Sequence, residues 1–343
     1  MNQSKPIIRA LWNRRDLNAS QAALELALSK WQTLEISSGL IVGLLAAGLS
    51  GCAHGGSKFD MPLNQEGLKQ VSVTSPVLLR MKSKPGSVEK IKYLHKSLSK
   101  SYEDADLRNQ KVQSIEFTSQ AETVKVAADS FTQTLSLIAK EGEADMHDFA
   151  MPELGEKLDV TADFRGRILH AGNYPANSIF YVPPVSLPDG PVNVGDTWSM
   201  QSSWLTLDEM VPFQLDMVSI LKGVFECGTD QCAEIEIQGN VTLQGSLVQS
   251  MTFKSSWRGR MYFAIQAGTV VWSRIDSAEV MNTDRARRDV TACLEAAMLE
   301  PKGIRIANHE NPTCNAESEI KDPDTVVLPG VSSVLSGAAS SKH

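Results

Sequence analysis

The side chains with the most distinctive chemistry in this 343-residue sequence are its five cysteines. A thiol can be acylated, oxidised to a disulfide or recruited by a metal, and spacing selects among these. Cys227 and Cys232 flank Gly228-Thr229-Asp230-Gln231, a turn between two segments of alternating polarity. Strand partners facing each other beside such a turn lie about 4.5 to 5.5 Å apart between Cα atoms, a gap that a disulfide spans. Cys293 and Cys314 are the pair left over once Cys52 is set aside, and an even remainder fits an oxidising compartment. A C-x4-C spacing with no histidine nearby is not a zinc pattern, so no metal is expected.

Other catalytic groups do not assemble along the chain. The six histidines (His54, His95, His147, His170, His309 and His343) are scattered, with no H-x-x-x-H pair and no carboxylate at metal-ligand spacing. Ser97-Leu98-Ser99-Lys100 matches S-x-x-K, but the K-T-G and S-D-N segments that accompany a serine–lysine site are missing. Asp104-Ala105-Asp106 lacks the glycine and distal glutamate of a calcium loop and reads as a solvated turn. With no nucleophile elbow, P-loop or dinucleotide fingerprint, no catalytic residue and no cofactor are expected. A hydrolase of unknown type ranks last among the functions. A cleft that gathered His147 or His170 with carboxylates would reopen it.

Cys52 stands apart because of what precedes it. Gly39 to Ser50 reads GLIVGLLAAGLS, twelve uncharged residues. As a helix they rise only about 18 Å, short of the roughly 30 Å hydrocarbon core, so a signal-peptide helix is expected rather than a permanent span. Leu49-Ser50-Gly51-Cys52 resembles the bacterial lipobox. The resemblance to bacterial lipoproteins implies diacylglyceryl transfer to the Cys52 sulfur, cleavage after Gly51 and acylation of the new amino terminus. Ala53 follows in place of the aspartate that retains some lipoproteins at the inner membrane, which favours the outer membrane. Residues 1–38 are long for the charged start of a signal, so translation is expected to begin downstream, near Leu28.

These sites need a scaffold, and the rest of the chain is written in the grammar of strands. Leu158, Val160, Ala162 and Phe164 alternate with Asp159, Thr161 and Asp163, and Ala233, Ile235 and Ile237 alternate with Glu234, Glu236 and Gln238. Phe253, Trp257, Met261, Phe263 and Ile265 share one parity, predicting a long strand with one apolar face. Val160–His170 and Tyr262–Trp272 overlay as hairpins with Gly166 and Gly268 in their turns. Lys84-Pro85-Gly86-Ser87 and Asn193-Val194-Gly195-Asp196 are matching strand-opening turns upstream of them. The fold class is therefore mainly β and antiparallel, two weakly repeated units forming a sandwich or a half-barrel-like sheet.

The expected organisation is a signal peptide over 1–51, a lipidated tether over 52–74, and β units over 75–180 and 192–316. A Pro-rich linker over 181–191 joins the units, and a disordered tail covers 317–343. Val192–Trp198 (VNVGDTW) resembles a motif of uncharacterised families of exported bacterial β-rich proteins, with Gly268-Thr269-Val270 as their later hairpin. Over roughly residues 75 to 300 the resemblance implies an exported β-rich domain and carries no activity. In that turn Gly195 permits the tight bend, Asp196 accepts a backbone hydrogen bond and Trp198 starts a strand with a buried ring.

Removing residues 1–51 takes away five Lys/Arg and three Asp/Glu and leaves a net charge of −9, which argues against nucleic-acid partners. The expected partners are a membrane, through the anchor, and either an apolar ligand or an envelope protein. Half-barrel lipoprotein carriers, which hold acyl chains in a concave sheet, are similar at the level of architecture only. A structural or assembly role in the envelope is the alternative.

Overall fold

Period-two alternation becomes strand after strand in the computed structural model, which describes residues 68–206, 211–244, 251–283, 285–299, 303, 304 and 314. Cys52, the signal peptide, the tether up to residue 67 and the tail over 317–343 lie outside the described residues. Eleven strands form one antiparallel sheet. They are β1 (Val88–Glu103), β2 (Asp106–Val126), β3 (Ser130–Glu141), β4 (Lys157–Asp163), β5 (Ile168–Ala171), β6 (Thr197–Leu205), β7 (Pro212–Cys227), β8 (Asp230–Leu243), β9 (Thr252–Ala264), β10 (Thr269–Asn282) and β11 (Ala286–Met298). Across the sheet the order is β5-β4-β3-β2-β1-β11-β10-β9-β8-β7-β6.

That order contains two meanders. β1–β5 runs outward from the centre and β6–β11 runs inward from the far edge, and β1 pairs with β11 where they meet. The two expected units are therefore halves of one sheet, and of the two architectures left open it is the half-barrel-like one that forms. Both overlaid segments are hairpins, β4–β5 and β9–β10, and both strand-opening turns directly precede β1 and β6. Gly195 has φ +96°, a value that only glycine adopts without strain, and the Asn193 N–H donates to Asp196 Oδ2 at 2.7 Å. Asp104 and Ala105, both at positive φ, make the two-residue turn between β1 and β2.

An odd strand count has a topological consequence. With every neighbour antiparallel, the two edge strands β5 and β6 run in the same direction, so no tight turn can join them. Residues 172–196 must cross back instead, and they do so through the interior. Ile179, Phe180, Val182, Val185 and Leu187 are all buried. The Pro-rich segment expected as a spacer is thus a plug. Its apolar residues at 179, 180, 182, 185 and 187 follow neither strand nor helix period, which is why alternation gave no hint of its burial.

The plug also shows how far the sheet curls. Val185 is 1% exposed; its carbonyl lies against Gly166 in the β4–β5 turn, while it shares a core with Leu221 of β7 and Ile235 of β8. β4 and β7 stand eight strand spacings apart in the order, roughly 38 Å on a flat sheet. One side chain reaches both only if the two ends of the sheet face each other.

Alternation implies strands buried on one face, and the middle of the sheet departs from that. β9 carries the apolar face expected of it, yet the sheet is covered there on both sides, and every residue of β10 from Thr269 to Glu279 is buried. Tyr262 and Trp272 on the outer face pack with Leu68 and Ile304. Glu234 and Gln238 on the polar parity of β8 are buried with them, and Glu234 is matched by Arg260 at 3.0 Å, as a buried charge requires. The tether also ends before residue 74. Gln70 bridges Phe225, and Val71 N–H donates to Val224 O at 2.8 Å, along the end of β7 that extends beyond β6.

Candidate functional site

Where the plug does not fill the curved sheet, an apolar cavity of about 170 Å³ remains. Register decides which side chains reach it. Glu89, Ile91 and Tyr93 share one parity of β1; Ala121 of β2 lies opposite Leu135 of β3, which lies opposite Leu158 of β4. Phe131 and Gln133 pair with Ala162 and Val160 in the same way. The parity of Leu158, Val160 and Ala162 read from the sequence is thus the wall of the cavity. Ile91, Leu135, Val160 and Ile168 stay only half-buried there, so apolar surface is left uncovered.

The cover is held by polar groups at its margins. Phe149, at the end of the 3₁₀ turn Met146–Phe149, lies over the cavity beside Phe180, Val182 and Val185 of the plug. Asp145 caps that turn by accepting from His147 N–H at 2.9 Å, and Glu153 accepts from Met146 N–H at 2.7 Å and from Lys140 Nζ at 3.0 Å. On the other side Asp163 Oδ1 accepts from Arg165 and Arg167 N–H, each at 2.9 Å, and so fixes the turn against which Val185 rests. Burial alone would raise the Asp163 carboxyl, but the Arg167 guanidinium and these backbone bonds outweigh it and hold the carboxyl below its ordinary range. Trp198, half-buried rather than fully buried, donates from Nε1 to Ser186 O at 2.7 Å and fastens the plug to β6.

Polar groups on the cavity wall are few. The Tyr93 hydroxyl bonds Ser119, and burial pushes the phenol up to about 12, so it stays a neutral donor. Glu89 meets the Thr269 hydroxyl at 3.4 Å, and burial raises its carboxyl above the ordinary value. The sequence reading missed both. Their signal is present nonetheless: in β1 the lysines 90, 92 and 96 share one parity, and Glu89 sits on the other, with Ile91 and Tyr93.

The remaining sites read from the sequence lie elsewhere. Cys227 and Cys232 form a disulfide at 5.8 Å between Cα atoms, and Cys293 and Cys314 form another at 5.6 Å. Neither lines the cavity. Cys227 and Cys232 are not directly opposite, since Cys227 faces Asp230 and Cys232 faces Phe225. Asp145, His147 and Glu153, which no spacing rule linked, come within 4.8 Å of one another. Glu153 already accepts from Met146 N–H and Lys140 Nζ, and Asp145 Oδ1 accepts from His147 N–H and lies 2.8 Å from His147 Nδ1. His170 lies in a separate depression with Thr134, Lys157 and Asp159, where the Thr134 hydroxyl donates to Asp159 Oδ1 at 2.6 Å. His95 is fully buried against the edge of Phe149.

No protein-family model and no curated protein matches this chain. Among solved structures it is similar to a lipovitellin described for its lipid–protein interactions, at 12% identity and a TM-score of 0.39, over 69% of this chain and 27% of that one. The chain thus spans about a quarter of the lipovitellin chain. An outer membrane channel from Pseudomonas putida F1 aligns at 7% identity and a TM-score of 0.19, over 64% of this chain and 97% of the channel. The attachment invasion locus protein Ail of Yersinia pestis, in complex with the heparin analogue sucrose octasulfate, aligns at 8% and 0.17, over 63% of this chain and all (100%) of its own. At such scores the likeness carries no argument about this chain.

Proposed function

We propose that this chain is a non-enzymatic envelope lipoprotein that binds an apolar ligand between the β1–β4 wall and the plug. The observation that carries the reading is the cavity: about 170 Å³ of unfilled space against half-buried aliphatic side chains. Apolar cavities of roughly 150 Å³ stay dry and hold a ring the size of benzene, and because this one opens to solvent a longer ligand can seat one end in it; ligand sites are typically apolar with a few placed polar groups. The test is titration with N-phenyl-1-naphthylamine, an uncharged probe that brightens on leaving water. Wild-type protein is expected to bind it saturably, one per chain. Ala121→Phe, which projects a ring from β2 into the space, should weaken binding at least tenfold, as should Ala162→Leu from β4. Saturable binding unaffected by either variant would place the ligand elsewhere.

The anchor belongs to the same proposal. Cys52 lipidation with two or three chains holds a protein at a membrane, at about 0.8 kcal/mol per buried methylene. An outer-membrane location follows from Ala53 under the sorting rule noted above. In cells fed an alkyne-tagged palmitate, the wild-type chain is expected to be labelled and to sediment with membranes. Cys52→Ser should be unlabelled. Equal labelling of both chains would end the lipoprotein reading without touching the cavity.

A further inference from the structure

We infer that the cavity prefers amphiphiles with a cationic head, of the primary-alkylamine class, and that Glu89 receives that head. The inference rests on the cavity being a ligand site and adds the chemistry of what enters it. Among the described residues lining the cavity there is no Lys, Arg or His, and Glu89 is the one carboxylate. It stands at the start of β1 on the inward parity, followed by Ile91 and Tyr93, so an alkyl chain lying along the wall would bring its head to Glu89.

What surrounds Glu89 gives the sign of the preference. Its polar contact is the Thr269 hydroxyl at 3.4 Å, a long and uncharged partner. The nearest lysine in sequence on the outward parity, Lys90, faces away with Lys92, and Lys82 Nζ is turned to the carbonyls of Ile265 and Gln266, at 3.2 and 3.0 Å. A half-buried carboxyl with no cation beside it among the described residues is stabilised most by a ligand that supplies one. A fatty-acid carboxylate would bring like charge to the same corner with no basic group to offset it. A neutral alcohol would gain only a hydrogen bond. The order of affinity is therefore amine, then alcohol, then carboxylate.

Competition against bound N-phenyl-1-naphthylamine by n-octylamine, n-octanol and octanoate, at neutral pH and fixed ionic strength, tests this. Octylamine is expected to displace the probe at a concentration at least tenfold below octanoate and several-fold below octanol. In Glu89→Gln, which keeps the shape and removes the charge, octylamine should fall to the level of octanol. Octanoate competing as well as octylamine in the wild type overturns the inference and leaves the ligand site standing. So does a preference for octylamine that survives Glu89→Gln. If the naphthylamine itself does not bind, the ligand site fails first.

Discussion

Replacing Glu279 with glutamine is expected to shift stability in the variant's favour by on the order of 4 kcal/mol between about pH 5 and about pH 9. Glu279 lies within the buried run of β10, opposite Ser255 of β9, and burial pushes its carboxyl from 4.5 up to about 8. Arg288 and the Ser255 hydroxyl, at 3.5 Å, pull the other way without reversing the shift. Between those two values the folded chain keeps a proton that the unfolded chain releases. The stabilisation is therefore complete below the unfolded value and is lost as pH rises through about 8. Glutamine cannot ionise and escapes the loss. Urea midpoints of both proteins across this range check it, and parallel curves would show that Glu279 is not held neutral.

His95 works in the opposite direction. Burial lowers its imidazole from 6.5 to about 4, and neither ring nitrogen has a hydrogen-bond partner among the described residues. A group held neutral in this way contributes its stability above the unfolded value and loses it as pH falls toward about 4. In the wild type the two residues offset one another over the mildly acidic range. The Glu279→Gln protein should therefore show an acid-side decline that the wild type conceals. Two unpaired buried nitrogens also carry a standing cost of about 1 to 3 kcal/mol each, part of which His95→Leu should recover.

Gly166→Ala is expected to destabilise by roughly 2 to 4 kcal/mol and to loosen the plug. Gly166 has φ +86°, so any side chain there costs about 1 kcal/mol in backbone strain. A Cβ would also stand 2.6 Å from the Val185 carbonyl oxygen, and because that atom is backbone, the plug itself must move. Gly86 supplies the control: its φ is +77°, with nothing within 4 Å of an added Cβ, so Gly86→Ala carries only the backbone term. Thermal unfolding of the two variants, with protease susceptibility at residues 182–187, separates strain from contact. Equal losses would mean that the plug does not rest on the β4–β5 turn.

Much of the fold was legible because its rules are local. Glycine at Gly195, Gly166 and Gly268 takes the positive φ of a turn, and the carboxylates Asp196 and Asp163 accept from nearby backbone N–H groups. Leu158, Val160 and Ala162 announced a shared face, and that face lines the cavity. The Glu89 site was not legible in the same way. A glutamate between Val88 and Lys90 looks like surface unless the parity of β1 is traced through Ile91 and Tyr93 to the buried side. The double burial of β9 and β10 escaped too, since it depends on segments far away in sequence, Leu68 and Ile304 among them.

By itself the sequence determined the β class, the two hairpins, the strand-opening turns and the two cysteine pairs, because strand period, turn residues and cysteine parity all act over a few residues or by simple count. Tertiary structure alone decided that β1 finds β11 and that eleven strands leave two parallel edges. It alone sent residues 172–196 inward to bridge those edges and left a cavity beside Glu89. Alternation tells which residues share a face. Which face becomes an interior depends on how many strands pair and how far the sheet curls, and those are properties of the assembled chain.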